Sequence, residues 1–127
     1  MKNAKIFCLC LDDNNLNNVK ELGYVPVGLG KNNFSKEWLT DSSGNNISKK
    51  NPYYGEYSFH YWLWKNELEN IRDNTWIGFC TYRRFWGNLS FKSTKFNDQV
   101  IKEVPKEWGE YDVILADKID LTNIKWI

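Results

Sequence analysis

Histidine occurs once in the 127 residues, at His60, and the three cysteines Cys8, Cys10 and Cys80 lie inside apolar runs. Cys-x-Cys with a single imidazole does not supply the four suitably spaced ligands of a zinc site, and the composition is not that of a disulfide scaffold. Free thiols in such runs behave as small hydrophobes. Long apolar stretches are also lacking. The first, Lys5–Leu11, meets Asp12-Asp13 after seven residues, too few for a secretory signal and far below the ~20 of a membrane span. These absences lead us to expect a reduced, cytoplasmic protein without a membrane span. Neither sign of charge is in excess: 17 Lys+Arg against 16 Asp+Glu leave +1, so the overall field recommends neither nucleic acid nor an anionic membrane, and any anion site must be local. Arginine is scarce, three against 14 lysines, alanine occurs twice and asparagine 16 times, a pattern of AT-rich codon drift that says little about function.

What remains is an ordinary apolar share of 42% with 26% charged residues, the composition of a globular chain whose length suits one domain, here taken as residues 1–127. Aromatic residues are abundant at 17%, more often a core property than a stacking surface. Lys5–Leu11 reads as a buried strand and Tyr24–Gly28 as a second, with Pro26 placing it at an edge or beside a bulge. The Gly-, Asn-, Ser- and Lys-rich stretch 28–51 is too long for a passive connection. Asn51-Pro52 is a helix start, and the helix is expected to reach about Asn70. Tyr57, Tyr61, Trp64, Leu68 and Ile71 recur on one stripe, which predicts the core face, with Phe59 and Trp62 under a second layer on the opposite side. Thr75–Tyr82 reads as a strand, 85–95 as a loop, Phe96–Val104 as a short helix and Tyr111–Ala116 as a fourth strand. The order predicts an α/β fold with a mainly parallel sheet and flanking helices. Ile124-Lys-Trp-Ile127 is apolar to its last residue, so the expected domain is incomplete at its C-terminus.

A helix that feeds a parallel strand runs antiparallel to it, so the helix start and the strand end share one rim of the sheet. About nineteen helical residues at ~1.5 Å span ~28 Å, and eight strand residues at ~3.3 Å span ~26 Å. The rim should therefore gather Lys49-Lys50, Asn51, Glu56, His60 and Arg83-Arg84. Unpaired helical N–H groups attract anions. Arginine kept where drift favours lysine suggests planar recognition of phosphate or carboxylate. The expectation is a diphosphate site with one ligand arginine and one structural arginine, the latter paired with Glu56 or Asp112.

Six ordered blocks carry a family resemblance: Tyr24-Val-Pro-Val-Gly28, Asp41-Ser-Ser-Gly-Asn-Asn-Ile-Ser48, Lys50-Asn-Pro-Tyr-Tyr-Gly-Glu56, Tyr61-Trp-Leu-Trp-Lys-Asn66, Ile77-Gly-Phe-Cys-Thr-Tyr-Arg-Arg-Phe85 and Tyr111-Asp-Val-Ile-Leu115. Together they resemble the domain-of-unknown-function 4422 family, over about Tyr24 to Leu115. Its members are commonly described as glycosyltransferases of capsular or exopolysaccharide synthesis. The chain departs from the family pattern at Thr81, where His is usual, and at Gly55, where Cys is usual. The resemblance implies a GT-A-like (Rossmann-like) fold and an enzyme that moves a sugar from a nucleotide-sugar donor to a glycan acceptor.

In that light, Thr81-Tyr82-Arg83-Arg84 stands where many such folds carry an Asp-x-Asp metal motif. Arginine, lysine and helix dipole are then expected to neutralise the leaving diphosphate without a divalent metal or other cofactor. Glu56 is the candidate general base and His60 its orienting partner, against the plainer readings of an ion pair and a margin residue. Lys50, Asn51, Arg83 and Arg84 are candidate donor-binding residues. Tyr54 and Tyr82 are candidate stacking residues, or core. Asp41 is a candidate ribose or sugar contact, or a turn cap. Two other readings stay open: a non-catalytic nucleotide-sugar or glycan-binding module, and a purely structural fragment.

Overall fold

The computed structural model describes residues 3–30, 33–87, 95–118 and 120–122. Four strands form one all-parallel sheet in the order β3-β2-β1-β4: β1 (Ala4–Cys10), β2 (Val25–Gly28), β3 (Leu39–Thr40) and β4 (Trp76–Thr81). Helices cover both faces, which is the α/β class expected. The unbroken apolar run of β1 follows from its central place, because a parallel strand packed on both sides has no solvent face to keep polar. Side chains alternate across it. Ile6, Cys8 and Cys10 point to α1 (Leu16–Glu21), where Val19, Leu22 and Tyr24 are buried with Cys80. Phe7 and Leu9 point the other way, to Phe59, Trp62 and Leu63 of α3 (Tyr57–Asn66).

Pro26 behaves as expected of an edge position. The strand β3 pairs only with Val27 and Gly28, so β2 is open on that side where proline has no N–H to give.

The long helix is broken. A first turn, α2 (Asn51–Tyr54), ends at Gly55 with φ +54°, α3 starts afresh at Tyr57, and a 3-10 turn over Leu68–Asn70 finishes the segment. A positive φ of this kind is cheap only for glycine. Asn51 Nδ2 donates to the Gly55 carbonyl at 2.9 Å and holds the break in place. The break also reverses the expected faces. Ser58, Phe59, Trp62 and Leu63 are buried against the sheet, whereas Tyr57 (71%), Trp64 (59%) and Leu68 (42%) stand exposed. Apolar residues occur on both sides of this helix, and periodicity alone does not choose between them. Anchoring of its first turn does. Of the predicted stripe, Ile71 packs on the core and Tyr61 is half-buried, its hydroxyl 3.0 Å from Asn45 Oδ1.

The predicted strand Tyr111–Ala116 is not one. Tyr111, Val113 and Leu115 are exposed, and the outer edge of β4 is already partly occupied. Trp86 Nε1 donates to the Phe79 carbonyl at 2.9 Å, Arg84 bridges back to Thr81, and Ile101 N donates to Trp86 O at 2.8 Å. The fourth strand is instead the two-residue β3, inside the stretch 28–51. The predicted helix Phe96–Val104 shrinks to one turn, α4 (Phe96–Gln99), because Val100 turns extended and buries itself with Ile101. Residues 88–94 of the predicted loop and residues 123–127, on which the expectation of an incomplete C-terminus rests, lie outside the described residues. Among the described residues no helix is long and apolar enough to cross a membrane.

Candidate functional site at the strand C-termini

Because all four strands run the same way, their C-terminal ends share one edge of the sheet. The connection from β1 to β2 carries α1 on one face, and the connection from β3 to β4 carries α3 on the other. Connections therefore diverge between β1 and β4, and a crevice at such a switch point is where open α/β sheets usually take ligands. Facing each other there are the segment Leu11–Asn15 after β1 and the turn Tyr82–Arg84 after β4.

The turn is tight. Thr81 N and Arg84 N each reach the other residue's carbonyl, at 3.2 and 3.1 Å. The extended chain that would send Arg83 and Arg84 to opposite faces is thereby replaced by a reversal with both exposed. The Arg83 guanidinium lies 5.2 Å from the centre of the Tyr82 ring, within cation–π range. Neither arginine forms an ion pair among the described residues, so the expected structural partner, Glu56 or Asp112, is not engaged. Beside the turn a cleft of about 250 Å³ opens between α1 and the chain after β4, lined by Asn15, Asn18, Tyr82, Phe85, Phe96 and Asn97.

Asp41 and Asn51 come together at the same edge, but facing inward. Asp41, immediately after β3, is fully buried and accepts from Gly30 N at 3.0 Å and from the Ser58 hydroxyl. Asn51 Nδ2 donates to Ser58 Oγ at 3.0 Å. Gly30 has φ +73°, and a Cβ there would sit 3.2 Å from Asn51 Oδ1. The cluster staples the ends of β2 and β3 to the start of α3, and each buried polar atom in it is satisfied. The one-turn α2 has too few aligned peptides for the dipole of a long helix, so positive charge at this edge comes from side chains. Lys50, exposed just before α2, is one.

Tyr54 and Glu56 are exposed on either side of Gly55, and the Glu56 carboxylate has no hydrogen bond or ion pair among the described residues. His60 does not orient that carboxylate. Its Nδ1 lies 2.9 Å from the Glu56 backbone oxygen, and its ring centre 4.2 Å from that of Phe79 in β4. A carbonyl can only accept, so Nδ1 is the donor in this contact.

The segment Leu11–Asn15 is a component that sequence reasoning missed. Asp12 caps it by accepting from Asn14 N at 2.9 Å, and Asp13 accepts from Ser35 N at 3.4 Å and from the Trp38 indole. The signal was its place directly after the first strand of an α/β pattern. No cluster of three or more His, Cys, Asp or Glu side chains among the described residues could hold a metal ion.

The family described as Domain of unknown function (DUF4422) matches residues 5–126. The chain belongs to that family. The DUF4422 match takes in all four strands, the turn Tyr82–Arg84 and the Asp41–Ser58–Asn51 cluster, so the edge described above is part of the family's shared region. No curated protein and no solved structure matches the chain.

Proposed function

We propose that this DUF4422 chain is a glycosyltransferase with a GT-A-like fold, moving a sugar from a nucleotide-sugar donor to a glycan acceptor in surface polysaccharide synthesis. The observation that carries the reading is the turn Tyr82–Arg84, which holds two arginines without ionic partners among the described residues at the switch point of a parallel sheet. Such a pair suits a diphosphate, whose developing charge it would neutralise as the sugar leaves. Lys50 adds charge from across the edge, and Tyr82 offers a ring to the base or sugar. Asp41 and Asn51 serve by fixing the loops of the donor site rather than by touching the donor.

In the reaction, an acceptor hydroxyl oxygen bonds to the anomeric carbon, the bond from that carbon to the diphosphate breaks, and the hydroxyl proton passes to a base. Glu56, exposed and without an ion pair among the described residues, is the candidate base, and His60 Nε2 is the other ring nitrogen within the same helical turn that could face the acceptor. No divalent metal is required in this scheme. A cytoplasmic setting fits both the donor and the three free thiols.

The test is calorimetric titration of the whole chain with uridine and guanosine diphosphate, in chelator. Wild type should bind one of them, and Arg83→Ala and Arg84→Ala should weaken binding about tenfold or more, the scale of a lost charge-assisted pair. Unchanged binding in both variants overturns the reading. The second reading, a non-catalytic nucleotide-sugar or glycan-binding module, is favoured by the separation of Glu56 and His60, whose side chains do not hydrogen-bond each other. Binding without hydrolysis or transfer would establish it.

A further inference from the structure

A second cleft, of about 450 Å³, lies elsewhere, beside the starts of β1 and β4, with Ala4 and Trp76 among its lining residues. At ~3.3 Å per residue the β4 residues that line it, Trp76–Gly78, lie ~10–20 Å from the turn Tyr82–Arg84, so it is not the diphosphate site. Trp76, Trp86, Trp108 and Tyr111 stand in its walls beside aliphatic residues such as Ile101 and Val104, with three polar side chains, Asn74, Thr75 and Asp112, among them. Trp86 and Trp108 meet edge to face at 6.2 Å. Trp86 spends its indole N–H on the Phe79 carbonyl. The indole N–H of Trp108, the Tyr111 hydroxyl, the Asn74 amide and the Asp112 carboxylate have no hydrogen-bond partner among the described residues and are not buried.

We propose that this cleft binds a neutral glycan. A sugar ring presents a C–H face that packs on an aromatic ring and a rim of hydroxyls that both donate and accept. The cleft answers with broad aromatic faces, two donors, an amide that does both and a carboxylate that accepts. An aliphatic chain would strip water from Asn74 and Asp112 without replacing their hydrogen bonds. An added peptide strand would find at most Trp76–Gly78 open, since the later part of the β4 edge is occupied by Trp86 and the Arg84 bridge. No lysine or arginine among the described residues lines the cleft, and Asp112 would repel a carboxylated or phosphorylated saccharide. The role of the bound glycan rests on the sugar-transfer reading: the site would hold a distal part of the acceptor, ~10–20 Å from the reacting hydroxyl.

Intrinsic tryptophan fluorescence of the whole chain, titrated with maltotetraose and cellotetraose to about 10 mM, tests the site. At least one should give a saturable change. Trp108→Ala should weaken it about tenfold. Tyr111→Phe, a surface change that keeps the ring and the fold, should weaken it about threefold, with diphosphate binding unchanged in both variants. No saturable change with either sugar, or binding indifferent to both substitutions, overturns the proposal. The two readings fail separately. Saccharide binding without any nucleotide binding sinks sugar transfer and keeps the cleft, whereas nucleotide binding without saccharide binding does the reverse.

Discussion

The two faces of β1 are built from different chemistry although they alternate residue by residue along one strand. Towards α3 lie large rings: Phe7 packs on Phe59 at 5.2 Å and on Phe79 at 5.9 Å, and Phe59 stacks on Trp62 at 5.7 Å. Towards α1 lie small thiols, with Cys8 registered directly opposite Cys80. The ring face is also the one tied by polar groups, through Asp41 and Ser58 at the start of α3. The thiol face has a six-residue helix without a side-chain cap. Both faces are deeply packed, but polar anchoring falls on the ring face, at the loops after β2 and β3, whereas the cleft beside the turn Tyr82–Arg84 lies on the α1 face.

The comparison breaks most severely at Phe59, which is fully buried. Phe59→Ala should cost about 3–5 kcal/mol in urea unfolding, the usual range for emptying a large core site; a loss below ~1 kcal/mol would mean that the ring face is not the main core. Asp41→Ala removes the acceptor of Gly30 N and Ser58, and about 1–3 kcal/mol should go with it. Its secondary effect, weaker diphosphate binding with the arginines intact, would show that the anchoring serves the site.

The thiol face is sharpened by alkali. Cys8 is pushed from 9.0 up to about 12: its hydrogen bond with Cys10 pulls the value down, but the bond to Cys80, burial and the charge of Cys80 outweigh it. Cys10 is raised by its bond to Cys8 and by burial, and Tyr24 chiefly by burial. Above pH 9 the unfolded chain gives up a thiol proton that the folded chain keeps, so folded-state stability is full below that value and falls as pH climbs towards 12. Unfolding curves between pH 8 and 11 should show the decline, and Cys8→Ala should flatten it.

The smallest effect is expected on the outer side of α3. Trp64 is 59% exposed with the Lys65 ammonium 3.5 Å from its ring centre, and Trp64→Ala should change stability by about 0.5 kcal/mol or less. Read from periodicity alone, the same substitution would be a core deletion, so the pair Phe59 and Trp64 decides which face of the helix is inside.

Much of the sheet was legible. Three strands announce themselves as short apolar runs, and their parallel order follows from the helix between them. The two-residue β3 has no period to read, and α1 is six residues with two asparagines among them. Tyr111–Ala116 has the composition of a strand, but composition does not reveal whether an edge is free, and Trp86 had taken part of it. At the candidate site the chain positions of Asp41, Asn51, Arg83 and Arg84 were readable as one rim. Their orientations were not, because a buried carboxylate and a β-turn depend on partners distant in sequence. Gly55 was visible only as a departure from the family pattern, whereas its positive φ is what splits the helix.

The covered flank of β4 has one more consequence. A sheet with open borders invites strands of neighbouring molecules to add on, the route to fibrils and precipitates. Here one border is only two residues long, at Leu39–Thr40, and the other is capped by an indole and a reversal of the chain. The later part of that flank is thus guarded against edge-to-edge self-assembly, and Trp86→Gly, which unblocks it, should be the substitution that brings turbidity.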